Sequence, residues 1–240
     1  MNLKSIIYII SSFFLFIATL SAQEIISNDS SCSNSIDFLK KNCYTCVKSD
    51  SLKCKVEEFG YIGKTNNRYY YYQISHRFDS NDIKMEDGTN YQEEINIFEG
   101  INSKEDVKSI YKREEEETLY YFYKPDLVDT KYGYILHINA TGGNGGWDNG
   151  DYLILRNNNW FKLEMPDFMT SFNSIMPDSC YFCRGSSIDL KKFIIKFAVF
   201  RGNDPCCCPT GGQIIAKLKI SIDNHIKIIS AKYFPKLKEY

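Results

Sequence analysis

The chain has 240 residues, of which 43% are hydrophobic and 15% aromatic, and a formal net charge of −1. That length is enough to bury a real core in one generous domain, or in one domain with an N-terminal appendage. The near-neutral balance shows no basic stripe and gives no electrostatic case for nucleic acid, while 18 Tyr and 16 Phe favour strands over helices.

Residues 1–22 have the layout of a secretory signal. Lys4 supplies the n-region charge, and Ile6 to Leu20 is apolar except for Ser11, Ser12 and Thr19. Leu20-Ser21-Ala22 is a weakened small-residue site, which predicts cleavage before Gln23. The competing reading is an uncleaved anchor, but the apolar run falls short of the roughly 20 residues that a spanning helix needs. Cys32, the nearest cysteine, follows Asp29-Ser30-Ser31, which is not a lipobox. The expected organisation is a signal peptide (1–22), a cysteine-rich N-terminal cap (23–55) and a β-rich domain (56–240). The expected product is secreted or periplasmic and does not span a membrane after cleavage.

All nine cysteines follow the signal. In a reducing compartment Cys43-x-x-Cys46 and Cys180-x-x-Cys183 would read as half-sites of one zinc centre; after a signal peptide they read as disulfide cysteines. Cys32, Cys43, Cys46 and Cys54 crowd the cap, where two bridges allow three connectivities. A short helix is expected from Ser35 to Asn42. The odd count leaves one thiol over or pairs it with another molecule.

Strands Val56–Gly63 and Arg68–Ser75 are expected to form a hairpin around Lys64-Thr65-Asn66-Asn67. The run Tyr69-Tyr70-Tyr71-Tyr72 must send tyrosines to both faces of its strand, as two core and two surface residues or as an aromatic platform for a sugar or peptide. A polar loop (79–90), a strand (Tyr91–Glu99) and a helix (Lys104–Glu116) follow. Ser103 is the natural N-cap of that helix and Asp106 its N3 carboxylate. Strand Thr118–Tyr123 ends at Pro125. Tyr132–Asn139 alternates, with Gly133, Ile135, His137 and Asn139 on one face and Tyr134, Leu136 and Ile138 on the other. Strands Tyr152–Arg156 and Trp160–Met165 flank a three-residue loop, Asn157-Asn158-Asn159. Three more are expected at Phe193–Arg201, Gln213–Ile222 and Ile226–Tyr233. The fold class is α+β: a mainly antiparallel, disulfide-stapled β-sheet domain with one or two short helices.

Chemistry-bearing signatures are sparse. The three histidines, His76, His137 and His225, lie in no HExxH, and no GxSxG occurs. The glycine loop Thr141–Asp151 lacks the Lys-Ser/Thr of a P-loop. Its Asp148 and Asp151, with Asn149, offer oxygens that calcium could use, but the spacing misses an EF-hand; glycines there more simply permit positive φ in a tight connection. Trp147 at the tip reads as a contact residue or as a lid on the core. Asn28-Asp29-Ser30 and Asn139-Ala140-Thr141 match the N-glycosylation pattern, which matters only in a eukaryotic host.

The segment Gly202-Asn203-Asp204-Pro205-Cys206-Cys207-Cys208-Pro209-Thr210-Gly211 resembles the DPxCCP motif of a family of exported bacterial domains that includes the mycobacterial LppP/LprE-type lipoproteins. The likeness spans roughly residues 118–233. This sequence departs from it in lacking the lipobox, in placing Cys206 at the variable position and in adding the N-terminal cysteine cluster. The resemblance implies a fold and a compartment rather than a reaction. It also implies that Cys207 and Cys208 reach Cys180 and Cys183, with Cys206 left over.

The expected function is therefore an exported, non-enzymatic binding module without a cofactor or metal. It would recognise an envelope or extracellular protein or glycan, as an inhibitor or immunity-type protein does, and its binding residues would include His137, Trp147, Asp148 and Asp151. The alternative is an envelope hydrolase or metal-dependent enzyme built on His137, Asp148 and Asp151, which requires all three to converge in one pocket.

Overall fold

The computed structural model describes residues 33–44, 52–79, 91–101, 106–115, 120–142, 147–182, 186, 188–205 and 207–235. The expected signal peptide, Cys32, Cys46, Cys183, Cys206 and the glycine run 143–146 lie outside the described residues. No described helix is long and apolar enough to cross a membrane.

Antiparallel sheets dominate. The N-terminal sheet has the order β1-β5-β4-β3-β2, from β1 (Ser33–Ser35), β2 (Leu52–Thr65), β3 (Arg68–Asp79), β4 (Gln92–Ile101) and β5 (Asp106–Glu115). A middle sheet is ordered β12-β11-β8-β7, from β7 (Asp126–Thr130), β8 (Gly133–Ile138), β11 (Asp151–Arg156) and β12 (Asn159–Lys162). A C-terminal sheet is ordered β14-β15-β17-β18, from β14 (Ile188–Asp189), β15 (Ile194–Ala198), β17 (Gln213–Ile220) and β18 (Ile226–Phe234). Smaller pieces join β6 (Tyr120–Phe122) and β10 (Trp147–Asp148) to β9 (Ala140–Gly142), and β13 (Cys180–Tyr181) to β16 (Phe200–Arg201). Among the described residues the helices are short: α1 (Ile36–Leu39) and α2 (Phe168–Phe172).

The middle sheet is buried on both faces because its strands alternate apolar side chains in both directions. Leu136, Ile138, Leu153 and Trp160 pack against Tyr70, Tyr72, Ile95 and Ile97 of the N-terminal sheet. Ile135, Tyr152 and Ile154 pack the other way, against Ile195, Phe197, Ile214 and Leu218 of the C-terminal sheet. Each such fully buried side chain contributes about 1.5–3 kcal/mol.

A third core lies on the outer face of the N-terminal sheet, where Ile36, Leu39 and Tyr44 cover Tyr71, Phe98 and Val107. Ser35 caps α1 by accepting the Phe38 amide at 3.2 Å. Gln73 of β3 fastens this cap. Its carbonyl accepts the Tyr44 amide at 2.9 Å, and its amide donates to Leu39 O at 2.5 Å and Asn42 O at 3.0 Å. The Cys43–Cys54 disulfide closes the same join.

The turns follow local chemistry. Asn66 (φ 45°) turns the first hairpin. Asn157 (φ 49°) and Asn158 (φ 65°) form a two-residue turn closed by the Arg156–Asn159 pair, one residue shorter than expected. The tyrosine run alternates, with Tyr70 and Tyr72 in the central core and Tyr69 and Tyr71 under the cap.

The expected helix Lys104–Glu116 is overturned, because residues 106–115 are strand β5, paired with β4 along its length. The register skips Ile110, since Tyr111 faces Ile97 while Ser109 faces Phe98. This bulge sends Ile110 and Tyr111 to one side of the sheet and Val107 to the other. Apolar residues at i, i+3 and i+4 thereby imitate a helical stripe within a strand.

Candidate functional site

The structure brings His137 and Asp148 together and separates Asp151 from both. His137 Nε2 lies 3.1 and 3.2 Å from the two carboxylate oxygens of Asp148. The Tyr152 hydroxyl donates to Asp148 Oδ2 and the Gly150 amide to Oδ1 at 3.0 Å. The His137 ring stacks flat on Tyr152, with centroids 4.2 Å apart and planes within 5°. This arrangement follows from register: Tyr152 sits opposite His137 on β11 and β8, and the 149–150 turn folds Asp148 over the pair.

Burial raises the Asp148 carboxyl, but the bond and charge of His137, followed by the bonds from Tyr152 and Gly150, outweigh it and hold the group below the usual carboxylate range. Burial, and after it the Asp148 charge, pushes the Tyr152 phenol upward. With three partners on two oxygens, Asp148 is a well-anchored, partly buried acceptor. It borders a small cavity of about 230 Å³ with Met165, Phe168 and Phe197, a cavity whose lining does not include His137.

A group held low contributes stability that is present above its unfolded pKa, near 4, and lost as pH falls through the folded value. Asp148→Asn should therefore narrow its stability deficit against wild type as pH drops from about 5 towards 2, measured by urea unfolding. A deficit constant with pH would contradict this account.

Asp151 belongs to the opposite face. Tyr111 donates to its Oδ2 at 2.5 Å, Arg113 approaches at 3.4 Å and Lys162 at 2.9 Å. Neighbouring strand residues point to opposite sides, so Asp151 meets the N-terminal core while Tyr152 meets the C-terminal one. The three-residue convergence that the hydrolase reading needs does not occur. Trp147 pairs with Gly142 in backbone register, and its side chain lies outside the described residues. Among the described residues no group of three or more His, Cys, Asp or Glu is placed to hold a metal ion.

The cysteine turn is braced by Asp204. Its carboxylate accepts the Arg201 amide at 2.7 Å, the Thr210 amide at 2.8 Å and the Thr210 hydroxyl at 2.7 Å. These bonds, the Arg201 amide foremost, hold the carboxyl below its usual range. Pairing of β13 with β16 sets Cys180 opposite Arg201, and Tyr181 donates to Asp204 O at 3.1 Å, so the 180 segment does lie along the turn. Cys180 carries no disulfide, where the resemblance implies one, and Cys207 Sγ lies 2.7 Å from Cys208 Sγ.

A second concavity lies away from the expected binding residues His137, Trp147, Asp148 and Asp151. A groove of about 860 Å³ runs between α1 and the β2–β3 hairpin. Phe59, Tyr61, Tyr69 and Tyr71 line it, with Lys40 and Lys64 also on its walls. Tyr61 faces Tyr71 across the strands, ring centroids 5.4 Å apart, and Phe59 stacks on Tyr71 at 6.1 Å. Tyr61 remains 46% exposed. The alternating tyrosine run was the sequence signal for half of this surface. The other half comes from β2, which needed the strand register to place it.

The chain matches no family model, no curated protein and no solved structure.

Proposed function

We propose that this protein is an exported binding module that holds a glycan in the groove between α1 and the β2–β3 hairpin. The observation that carries this reading is the row of Phe59, Tyr61, Tyr69 and Tyr71 in a concavity of ligand size, with charged side chains beside the rings. Tyrosine presents an apolar ring face and a polar hydroxyl, which suits a pyranose with one C–H face and a hydroxylated edge. The Asp37–Lys40 pair, 2.8 Å apart at one wall, and the exposed Lys64 offer polar contacts to that edge. His137 and Asp148 carry no reaction in this reading, because Asp151 faces another core and the cavity beside Asp148 is not lined by His137.

Titration of envelope oligosaccharides by calorimetry tests the reading. Tyr61→Ala should weaken binding about tenfold or more, since it removes an aromatic anchor whose partner ring, Tyr71, stays in place. Unchanged affinity in that variant would place the ligand elsewhere.

A further inference from the structure

The C-terminal sheet turns one face to the core and the other outward. On the outward face the register sets Ile194 beside Lys217 and Ser230, Lys196 beside Ile215 and Lys232, and Lys219 beside Lys227. A register shift leaves Ile229 and Ser230 on the same outward side, while Ile228 and Ala231 pack inward. Lys196, Lys217, Lys219, Lys227 and Lys232 are all exposed. Ile229 is 58% exposed, and Ile222, at the tip of the β17–β18 hairpin, is 93% exposed. From residue 189 to the end, ten Lys and Arg stand against four Asp and Glu in a chain of net charge −1.

Among the described residues two carboxylates border this face. Asp189 is taken up by Lys192 at 3.5 Å, and Asp223 reaches His225 at 3.2 Å and Lys227 at 3.7 Å. Lys219 and Lys227 sit directly opposite one another, a like-charge pair that weakens a sheet on its own. An external anion would relieve it.

From this face we infer a docking surface for an anionic lipid bilayer. Lysine stems can lie along the membrane while their ammonium groups meet headgroup phosphates, and the exposed isoleucines can enter the acyl boundary. Exposed isoleucines at the hairpin tip and on the strand face favour a bilayer over a nucleic acid, whose bases would be met by stacking aromatics. This surface lies on a different sheet from the aromatic groove, so it goes beyond the glycan reading and holds or fails without it.

The test is flotation of the full chain with neutral phosphatidylcholine vesicles and with vesicles carrying phosphatidylglycerol. The apolar run 6–20 would bind either kind, so the readout is the anionic-over-neutral preference. That preference should be clear at about 0.1 M salt and collapse near 1 M, where the screening length falls from about 10 Å to about 3 Å. Each lysine removed should lower it about fivefold, so Lys217→Gln/Lys219→Gln/Lys227→Gln should lose roughly a hundredfold. Lys219→Gln alone removes a like-charge neighbour and should fold at least as well, so loss of preference there cannot be laid to unfolding. Ile222→Ser should weaken anionic-vesicle binding while keeping its salt dependence. Equal binding to both vesicles, or a preference that survives the lysine substitutions, overturns the proposal. So does retention on duplex DNA with no vesicle binding, which would assign the face to nucleic acid.

Discussion

Glu94→Ala is expected to cost about 3–5 kcal/mol, the loss typical of breaking a buried ion pair from one side. Glu94 is fully buried on β4 beneath the N-terminal cap. Arg77 Nε lies 2.8 Å from its carboxylate, Lys112 Nζ 3.0 Å, and the Asn96 amide donates to it as well. Arg77 is only 5% exposed and also donates to Tyr44 O at 3.1 Å, so its charge cannot turn to water without lifting the cap. Urea unfolding should show a lower midpoint with an unchanged slope. Pairing Glu94→Leu with Arg77→Met should recover part of the loss, because it removes both buried charges together. A double variant no better than the single one would count against uncompensated charge as the cause.

Gly150→Ala should be nearly as damaging, by about 3 kcal/mol, for a steric reason. A β-carbon there would stand 2.1 Å from the Ile138 carbonyl oxygen, 2.9 Å from Asp148 Oδ1 and 3.0 Å from His137 Nε2. The nearest obstacle is backbone of β8 and cannot rotate away. Either the 149–150 turn leaves β8 or the His137–Asp148–Tyr152 arrangement opens. The thermal midpoint should fall and the near-ultraviolet signal of the tyrosines should weaken. Gly202→Ala, with nothing within 4 Å of its β-carbon, is the matched control and should be neutral.

Much of the strand framework was readable because period-2 alternation is written in adjacent residues. Tyr132–Asn139 was divided correctly between its faces, and Ile135 and Leu136 do enter different cores. The Asn157-Asn158-Asn159 loop was placed because few residue types tolerate left-handed backbone at a turn, although the turn itself is Asn157-Asn158. Residues 106–115 were misread because a bulge interrupts alternation, and an interrupted period of two resembles a period of 3.6. The candidate site was legible only in part. His137 and Asp148 meet, but Asp151, three residues further on, lies beyond a turn and a change of face.

The local order of the chain thus determined most of the long strands and which side chains share a face, with the bulged strand β5 as the exception. These properties depend on neighbours one to four residues apart. Tertiary structure alone decided what each face meets. The aromatic groove needs β2 beside β3 under α1, and the Glu94 ion pair needs three strands in register. The lysine face is the plainest case. Its charges are spread over three strands between residues 196 and 232, too far apart to form a stripe in the sequence, and antiparallel pairing sets them on one surface.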